Sequence, residues 1–345
     1  MSIIIGIETT CDETGAAIVR DGAYVLSNVV RSQVPLHLKY GGVVPEIAAR
    51  AHIEWLNNII DLALGQARVK PEQIDAIGVA HCPGLVGCLL VGVSAAKALA
   101  FAWNRPLIGV NHVHAHLYAA LLAESDSVSE SPRPNLPALG LVISGGHTSL
   151  YLVEDFARLK RLGSTIDDAV GEAFDKVAAI LQLGYPGGPL VEKLSTDGDS
   201  GAIPFPVSLL GKDSLDFSFS GLKTAVLYYV NGARGTQRDA STMSPGAKAD
   251  VAASFQRAAA DVLCTKLHRA LESYNVRSII VGGGVSANAV IRQALLDVGA
   301  SRGLPVFLPS LRYCTDNAAM IAGLASELHR GNHFDGLDLT AIATV

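Results

Sequence analysis

Apolar and polar positions follow each other along this chain as short buried runs separated by polar, glycine-bearing turns. Short runs rich in Ile, Val and Ala predict strands, and longer runs of helix-forming composition predict helices. In the first half the predicted strands are residues 3–9, 15–20, 23–30, 76–80 and 107–110, and the predicted helices are 46–64 and 89–103. Strands that alternate with helices indicate an α/β protein.

The opening pattern of strand, small-residue loop and strand occurs a second time in the chain. Residues 139–143 and 149–153 predict strands around the loop 144–148, just as two strands flank the loop 10–14. The remaining predictions are helices at 166–181, 189–195, 221–230, 247–274, 289–296 and 318–330, strands at 278–281 and 306–308, and a linker at 124–134. Such a repeat predicts two related α/β domains whose opening loops face each other across a cleft.

Composition narrows the class of protein further. A chain of 345 residues with 49% apolar and 17% charged residues is globular and long enough for two domains. Its five scattered cysteines have no paired spacing, which indicates reduced thiols and a cytoplasmic location. We expect no signal peptide and no membrane span. The net charge of −5 lacks the global basic signature of a nucleic-acid binder.

Three histidines follow the strand predicted at 107–110, where a helix is expected to start. If the helix has begun by His112, then His112 and His116 lie one turn apart on one face and His114 points away. Two imidazoles placed in this way can bind one divalent metal ion. The alternative is that all three histidines cap the helix start or meet solvent. The segment between His112 and His116 contains no carboxylate, which argues against HExxH metallopeptidase chemistry.

Asp316 is the best candidate for a third metal ligand, because it also precedes a predicted helix after a strand. Two histidines and one carboxylate leave open positions on a metal ion. The alternative is that Thr315 and Asp316 are ordinary N-cap residues, and local sequence alone favours the cap.

Glycine turns and carboxylates provide the other candidate groups. The turns at 144–148 and 282–288 offer backbone amides to phosphate oxygens, although a hairpin turn would use glycine in the same way. Neither GxGxxG nor GxxxxGK[ST] is present. The acidic loop carries Glu8, Asp12 and Glu13, for which solvated turn carboxylates are the default interpretation. Asp175 and Lys176 are equally consistent with a surface ion pair.

Taken together, ten motifs resemble those of the bacterial TsaD family, the tRNA N6-adenosine threonylcarbamoyltransferases once described as O-sialoglycoprotein endopeptidases. They are GIETTCDETG (6–15), YGGVVPE (40–46), PGLVG (83–87), HVHAH (112–116), SGGHT (144–148), GEAFDK (171–176), YPGGP (185–189), DFSFSGLKT (216–224), GGVSAN (283–288) and CTDN (314–317). The resemblance runs in order over nearly the whole chain. It implies a duplicated actin/Hsp70-like (ASKHA) two-domain architecture with a central cleft. The implied domains are 1–136, joined by the C-terminal helix and tail at 317–345, and 137–316.

The resemblance also implies roles for individual residues. His112, His116 and Asp316 match the family's ligands for one divalent ion, iron or zinc. Asp12 and Glu13 match the acidic loop near the reacting end and are the expected catalytic residues. The residues that match contacts to the adenylate are Val142, Ile143, Ser144, Gly145, Gly146, Asp175, Gly188 and Asn288, with Glu192 added as a candidate for the ribose. One departure is that the family's usual His-Met-Glu-Gly-His reads His-Val-His-Ala-His here, with the ligand spacing intact.

The implied reaction is transfer of a threonylcarbamoyl group from threonylcarbamoyl-adenylate to N6 of adenosine 37, in tRNAs that read codons beginning with A. The implied partners are the tRNA anticodon loop, a TsaB-like paralogue and a TsaE-like ATPase, with no membrane. The main alternative is a kinase or ATPase of the same fold, which the paired histidines disfavour because they make a poor magnesium site. A non-enzymatic, nucleotide-gated scaffold is a further alternative.

Overall fold

The structure is a computed structural model that describes residues 1–123, 133–208, 210–232 and 239–344. The predicted linker at 124–134 lies outside the described residues except for its last two. Within the described residues there are ten strands: β1 (Ile3–Glu8), β2 (Glu13–Arg20), β3 (Tyr24–Ser32), β4 (Ala76–Cys82), β5 (Leu107–Asn111), β6 (Ala138–Ile143), β7 (Thr148–Asp155), β8 (Arg158–Ser164), β9 (Ser278–Gly282) and β10 (Val306–Phe307). The same residues form ten α-helices: α1 (Val34–His37), α2 (Pro45–Ala67), α3 (Val86–Trp103), α4 (His112–Tyr118), α5 (Val170–Ile180), α6 (Gly187–Ser195), α7 (Ser220–Asn231), α8 (Pro245–Ser273), α9 (Ala289–Arg302) and α10 (Ala318–Arg330).

The chain divides into two compact units that share one sheet topology. Unit 1 consists of Met1–Arg133, Asp155–Leu159 and Pro309–Val345, and unit 2 of Pro134–Glu154 and Lys160–Leu308. The strand orders are β3-β2-β1-β4-β5 and β8-β7-β6-β9-β10. In each sheet the first strand pairs antiparallel with the second and parallel with the fourth, which in turn pairs parallel with the fifth. The predicted duplication of an α/β unit is therefore confirmed.

One strand was not predicted, and one predicted helix starts too early. Residues 158–164 form the edge strand β8, whose many exposed and basic positions give little apolar alternation. The helix predicted at 166–181 begins only at Val170. The preceding residues form a turn in which Thr165 Oγ1 donates to the carbonyl oxygen of Asp168 at 2.6 Å. Side-chain hydrogen bonds of this kind compete with helix formation.

The helix α3 has an unusually apolar composition. Its 18 residues have a mean hydropathy of 1.8, so by length and composition alone it is one candidate membrane span among the described residues. Helices in the cores of soluble proteins also reach such values. Here α3 packs against β4 and α2 within unit 1, so it is part of that unit's packing.

The helix α10 lies directly on the sheet of unit 1 because two glycines leave room for it. A Cβ atom on Gly6 of β1 would come within 2.4 Å of the Ala318 carbonyl oxygen, and one on Gly78 of β4 within 2.5 Å of the Ala325 Cβ. Ala318, Ala322 and Ala325 are fully buried on the facing side of the helix. This close approach fixes the position of the turn that precedes α10.

We predict opposite effects of the same substitution at two glycines. Gly6→Ala should lower the free energy of unfolding by about 1–3 kcal/mol or more, because backbone atoms of α10 occupy the space of the new methyl group. Gly65→Ala should raise it by about 0.4–1 kcal/mol, since Gly65 is exposed in α2 and no described heavy atom lies within 4 Å of the place that its new methyl group would take. Urea unfolding of the two variants measures both changes. Equal stabilities would contradict close packing of α10 on the sheet.

Candidate metal centre and active site

The two histidines of the candidate metal centre are placed by the start of α4. Asn111 ends β5 and caps the helix, since its Oδ1 accepts a hydrogen bond from the His114 amide at 3.1 Å. The helix therefore begins at His112, which was the condition for placing His112 and His116 on one face. Their ring centroids are 4.7 Å apart and their side chains are buried. The interpretation as solvent-exposed histidines is wrong for both.

Asp316 completes the cluster from the turn before α10. The N-cap of α10 is Asn317, whose Oδ1 accepts from the Met320 amide at 3.0 Å. The interpretation of Asp316 as the helix cap is therefore wrong, and its carboxylate is directed to the histidines instead. Asp316 Oδ1 lies 3.2 Å from His116 Nε2 and 3.6 Å from His112 Nε2. One ligand atom from each of the three residues lies within 4.8 Å of the others.

The polar atoms of this cluster fit a divalent metal ion. Both ring nitrogens of the fully buried His116 lack a hydrogen-bond partner among the described residues. The 3.2 Å contact of His116 Nε2 with Asp316 does not have hydrogen-bond geometry. Buried polar atoms of this kind need an explanation, and an ion shared by both histidines and the carboxylate supplies one for the ring nitrogen that binds it.

A buried carboxylate orients His112, one of the two histidines of the cluster. Glu8 is fully buried at the end of β1, and its Oε2 lies 2.8 Å from His112 Nδ1. Its Oε1 accepts a hydrogen bond from the Thr10 amide at 2.6 Å. Carboxylates commonly hold metal-binding histidines in this way, so that the other ring nitrogen faces the ion. Glu8 is therefore not a solvated turn carboxylate.

Electrostatics around His112 favour a positive charge at this position. Burial alone would lower the pKa of His112, but the negative charges of Glu8 and Asp316 outweigh burial and raise it to about 9. The neighbouring His114 shows the opposite effect, since burial lowers its pKa to about 4. Without an ion, His112 therefore carries the positive charge at neutral pH, and His114 is neutral.

The loop between β1 and β2 brings two further carboxylates towards Asp316. Burial, followed by the charges of Asp316 and Asp12, raises the pKa of Glu13 to about 9. Ser32 Oγ donates a hydrogen bond to Glu13 Oε1 at 3.1 Å. Asp12 and Glu13 are both half-buried, so the default interpretation of freely solvated carboxylates does not hold. In the metal-free chain Glu13 keeps its proton at neutral pH.

In unit 2, the predicted turn after β6 lies against the start of α5. The Ser144 amide donates to the His147 carbonyl oxygen at 2.8 Å, which closes a tight turn. The Gly171 and Glu172 amides donate to the carbonyl oxygens of Ser144 and Gly145 at 3.3 and 3.1 Å. Gly145 and Gly146 are exposed, and a Cβ atom added to either would meet no described heavy atom within 4 Å. A ligand can therefore approach this backbone closely. Val142 and Ile143 are fully buried strand residues, so they can offer only backbone groups.

The other predicted adenylate contacts of unit 2 lie at the starts of α6 and α9 or direct their side chains to them. Asp175 Oδ1 accepts from the Gly187 amide at the start of α6 at 2.7 Å, next to the half-buried Gly188. Lys176 pairs with Asp168 at 2.6 Å and Glu172 at 2.8 Å. The interpretation of Asp175 and Lys176 as a surface ion pair is therefore wrong.

The candidate ribose contact joins α6 to α9. Glu192 Oε1 accepts from the Ala289 amide at 2.7 Å. Asn288 caps α9 through the Ile291 amide at 3.0 Å and donates from Nδ2 to Gln256 Oε1 at 2.7 Å. The structure therefore links α6, α8 and α9 through buried and half-buried polar groups, and Gln256 is a member of this network that the sequence did not indicate.

Comparison with known proteins identifies relatives over nearly the whole chain. The sequence profile of "TsaD: tRNA N6-adenosine threonylcarbamoyltransferase" matches residues 24–323. Proteins named tRNA N6-adenosine threonylcarbamoyltransferase from Moorella thermoacetica and Symbiobacterium thermophilum are 50% and 51% identical over 339 and 340 residues, which is 98% and 99% of this chain and 95% of each relative.

Solved structures with low sequence identity share the fold. HypF from T. kodakarensis matches with a TM-score of 0.61 at 17% identity, over 96% of this chain and 48% of its own. The (R)-2-hydroxyglutaryl-CoA dehydratase component A of Acidaminococcus fermentans matches with a TM-score of 0.50 at 15% identity, over 95% and 98%. The predicted actin/Hsp70-like α/β architecture is confirmed. With half of its residues identical to those relatives along almost its full length, the chain belongs to the TsaD family of tRNA N6-adenosine threonylcarbamoyltransferases.

Proposed function

We propose that this chain transfers the threonylcarbamoyl group of threonylcarbamoyl-adenylate to N6 of adenosine 37 in tRNAs that read codons beginning with A, and releases AMP. The observation that carries this proposal is the cluster of His112, His116 and Asp316 beside Asp12 and Glu13, in a member of this family. The cluster provides a metal site with open positions next to carboxylates that can handle a proton.

His112, His116 and Asp316 would hold one divalent ion, iron or zinc, with Glu8 orienting His112. When bound, the ion supplies Lewis-acid stabilisation of negative charge that develops on oxygen atoms of the adenylate. Imidazole ligands suit iron and zinc better than magnesium. This preference also disfavours the alternative of an ASKHA-type kinase or ATPase that depends on magnesium at this site.

The acidic loop would handle the proton of the amine. In the reaction, adenosine N6 forms a bond to the carbamoyl carbon, the bond from that carbon to the phosphate oxygen breaks, and N6 loses a proton. Asp12 accepts this proton in our proposal. Glu13 is hydrogen-bonded to Asp12, and in the metal-free chain it holds its own proton at neutral pH. In our proposal it orients Asp12 and does not act as the base.

The adenylate-binding residues would be those of unit 2. The backbone at Gly145 and Gly146 is exposed, and in our proposal its amides bind phosphate oxygens. Gly188 and Asn288 lie at the starts of α6 and α9. Asp175 and Glu192 direct their carboxylates to the same two helix starts, where they accept from the Gly187 and Ala289 amides. In our proposal the backbone of Val142 and Ile143 lines the same site, and Glu192 contacts the ribose.

The tRNA would need help to bind a chain of net charge −5. We propose that a TsaB-like paralogue and a TsaE-like ATPase assist in the cytoplasm, as the family resemblance implies. The target adenine must be unstacked to react, which an anticodon loop permits at modest cost.

We predict that the metal site depends on its three ligands and on Glu8. His112→Ala, His116→Ala or Asp316→Ala should abolish stoichiometric binding of Zn²⁺ or Fe²⁺, and Glu8→Gln should weaken it about 10- to 100-fold. Elemental analysis of metal-loaded, desalted protein measures the content, and competition with a chelator measures the affinity. His114→Ala is the matched control, since it removes an imidazole from the same helix and should leave the metal content at one ion. Full metal content in the Asp316 variant would contradict the assignment.

We also predict that metal binding releases a proton. A metal ion binds the deprotonated imidazole nitrogen, and the pKa of His112 is about 9 in the metal-free chain. At neutral pH each bound ion should therefore displace nearly one proton, and the affinity should rise with pH until about pH 9. Calorimetry in two buffers of different ionisation enthalpy counts the protons. In Glu8→Gln the main charge that raises this pKa is lost, so proton release should fall. Equal heats in both buffers for the wild type would contradict the prediction.

The proposed proton acceptor is tested by an isosteric change. Asp12→Asn should reduce formation of threonylcarbamoyladenosine about 100-fold or more, because the amide cannot accept the N6 proton. The reaction contains tRNA, threonylcarbamoyl-adenylate and the proposed partner proteins, and mass spectrometry of digested nucleosides measures the product. Glu54→Gln, at an exposed carboxylate of α2, is the control and should keep wild-type activity. Absence of product with the wild type, together with ATP turnover by this chain without the partner proteins, would favour the kinase-like alternative.

A further inference from the structure

Two fully buried polar side chains, Gln33 and His52, lie beside the acidic loop of unit 1. Gln33 follows β3 and His52 lies in the first third of α2. Buried polar groups need hydrogen-bond partners. The partners of these two residues belong mostly to the loop that carries Asp12 and Glu13.

The hydrogen bonds of His52 have one consistent direction. His52 Nε2 lies 3.0 Å from the Cys11 carbonyl oxygen, which can only accept, so Nε2 carries the proton. His52 Nδ1 therefore accepts from the Thr14 hydroxyl, at 2.8 Å. Burial lowers the pKa of His52, which keeps the ring in this neutral form. The ring thus joins both ends of the acidic loop to α2.

Gln33 holds the next carbonyl group of the same loop. The backbone amide of Gln33 donates to the Asp12 carbonyl oxygen at 2.8 Å. Its side-chain Nε2 is 3.3 Å from the Ala48 carbonyl oxygen of α2, and its Oε1 is 3.2 Å from His37 Nε2. His37 Nδ1 accepts from the Val44 amide at 3.3 Å, so its Nε2 is the donor to Gln33. Each polar atom of the Gln33 side chain is engaged, which fixes its backbone against the loop.

We propose that His52 and Gln33 are positioning residues for the reaction, because they hold the consecutive carbonyl groups of Cys11 and Asp12 and thereby set the direction of the Asp12 and Glu13 side chains. This inference rests on the proposed function. The two peptide groups on either side of Asp12 cannot rotate without breaking one of these buried hydrogen bonds. A carboxylate that transfers a proton must be held in place to be effective.

A nearby buried hydrogen bond joins β3 to α2 without involving His52, Gln33 or the acidic loop. Ser27 Oγ on β3 donates to the Ala63 carbonyl oxygen of α2 at 2.7 Å, and Ser27 is buried. This bond also ends on α2, and it does not contact the loop. Ser27→Ala is therefore a matched control for the loss of a buried hydrogen bond to α2.

Two conservative variants of His52 separate positioning from stability. In His52→Gln the side-chain amide reaches the place of Nε2 and still donates to Cys11, whereas the Thr14 hydroxyl loses its acceptor. In His52→Asn the amide reaches only the place of Nδ1, so Thr14 keeps its acceptor and the Cys11 carbonyl is released. We expect kcat to fall about 10- to 100-fold in His52→Asn and to stay within about threefold of wild type in His52→Gln and Ser27→Ala.

The measurements are kcat and KM for threonylcarbamoyl-adenylate, the metal content, the melting temperature and hydrogen–deuterium exchange of residues 10–14. All three variants should melt earlier than wild type, and metal content and KM should not change. Exchange of the loop should increase only in His52→Asn. Equal kcat and equal exchange in the two His52 variants would overturn the inference. An inactive wild type would reject the proposed function instead, and the exchange data would still decide whether His52 holds the loop.

Discussion

The approach of α10 to the sheet of unit 1 determines where the metal cluster can form. Gly6 and Gly78 allow the helix backbone to lie directly on β1 and β4, so the position of its first turn is set by the sheet. On its other side α10 receives α4, where a Cβ atom on Gly323 would come within 2.7 Å of the Tyr118 ring. The helix that follows Asp316 and the helix that carries both histidines are therefore packed against each other. The cluster depends on this packing, because the segments that supply its ligands are far apart in the sequence.

Charge balance is the second constraint on this part of the chain. Glu8, Asp12, Glu13 and Asp316 bring four carboxyl groups around two imidazoles, and burial makes each uncompensated charge costly. The pKa values of His112 and Glu13 are each raised to about 9, so both groups keep a proton at neutral pH in the metal-free chain. The proton on His112 adds a positive charge, and the proton on Glu13 removes a negative one. A divalent ion offers the compensation that the proton of His112 provides in the metal-free chain, so ion binding and the loss of that proton are linked at this site.

Much of the fold could be predicted from local patterns, but the contacts of the site could not. Ile-rich runs and glycine turns indicated most strands of both units, and His112 and His116 have the spacing of one helical turn. Asn317 shows the limit of local rules, because three adjacent polar residues could each cap α10 and only the structure shows which one does. The partnership of Glu8 with His112 joins residues 104 positions apart, and no spacing rule connects them. The strand β8 was missed because an edge strand with exposed basic residues lacks the apolar alternation of a buried one.

The duplicated topology places a loop after the first strand of each unit, and the two loops are held by different means. The loop after β1 carries carboxylates, whose directions depend on peptide groups held by the buried His52 and Gln33. The loop after β6 carries Gly145 and Gly146, which need no side-chain positioning, and its shape comes from the Ser144 turn and the amides of α5. A group that moves a proton must be fixed in direction, whereas a backbone that binds phosphate oxygens must be accessible. The different support of the two loops therefore follows from the different chemistry proposed for them.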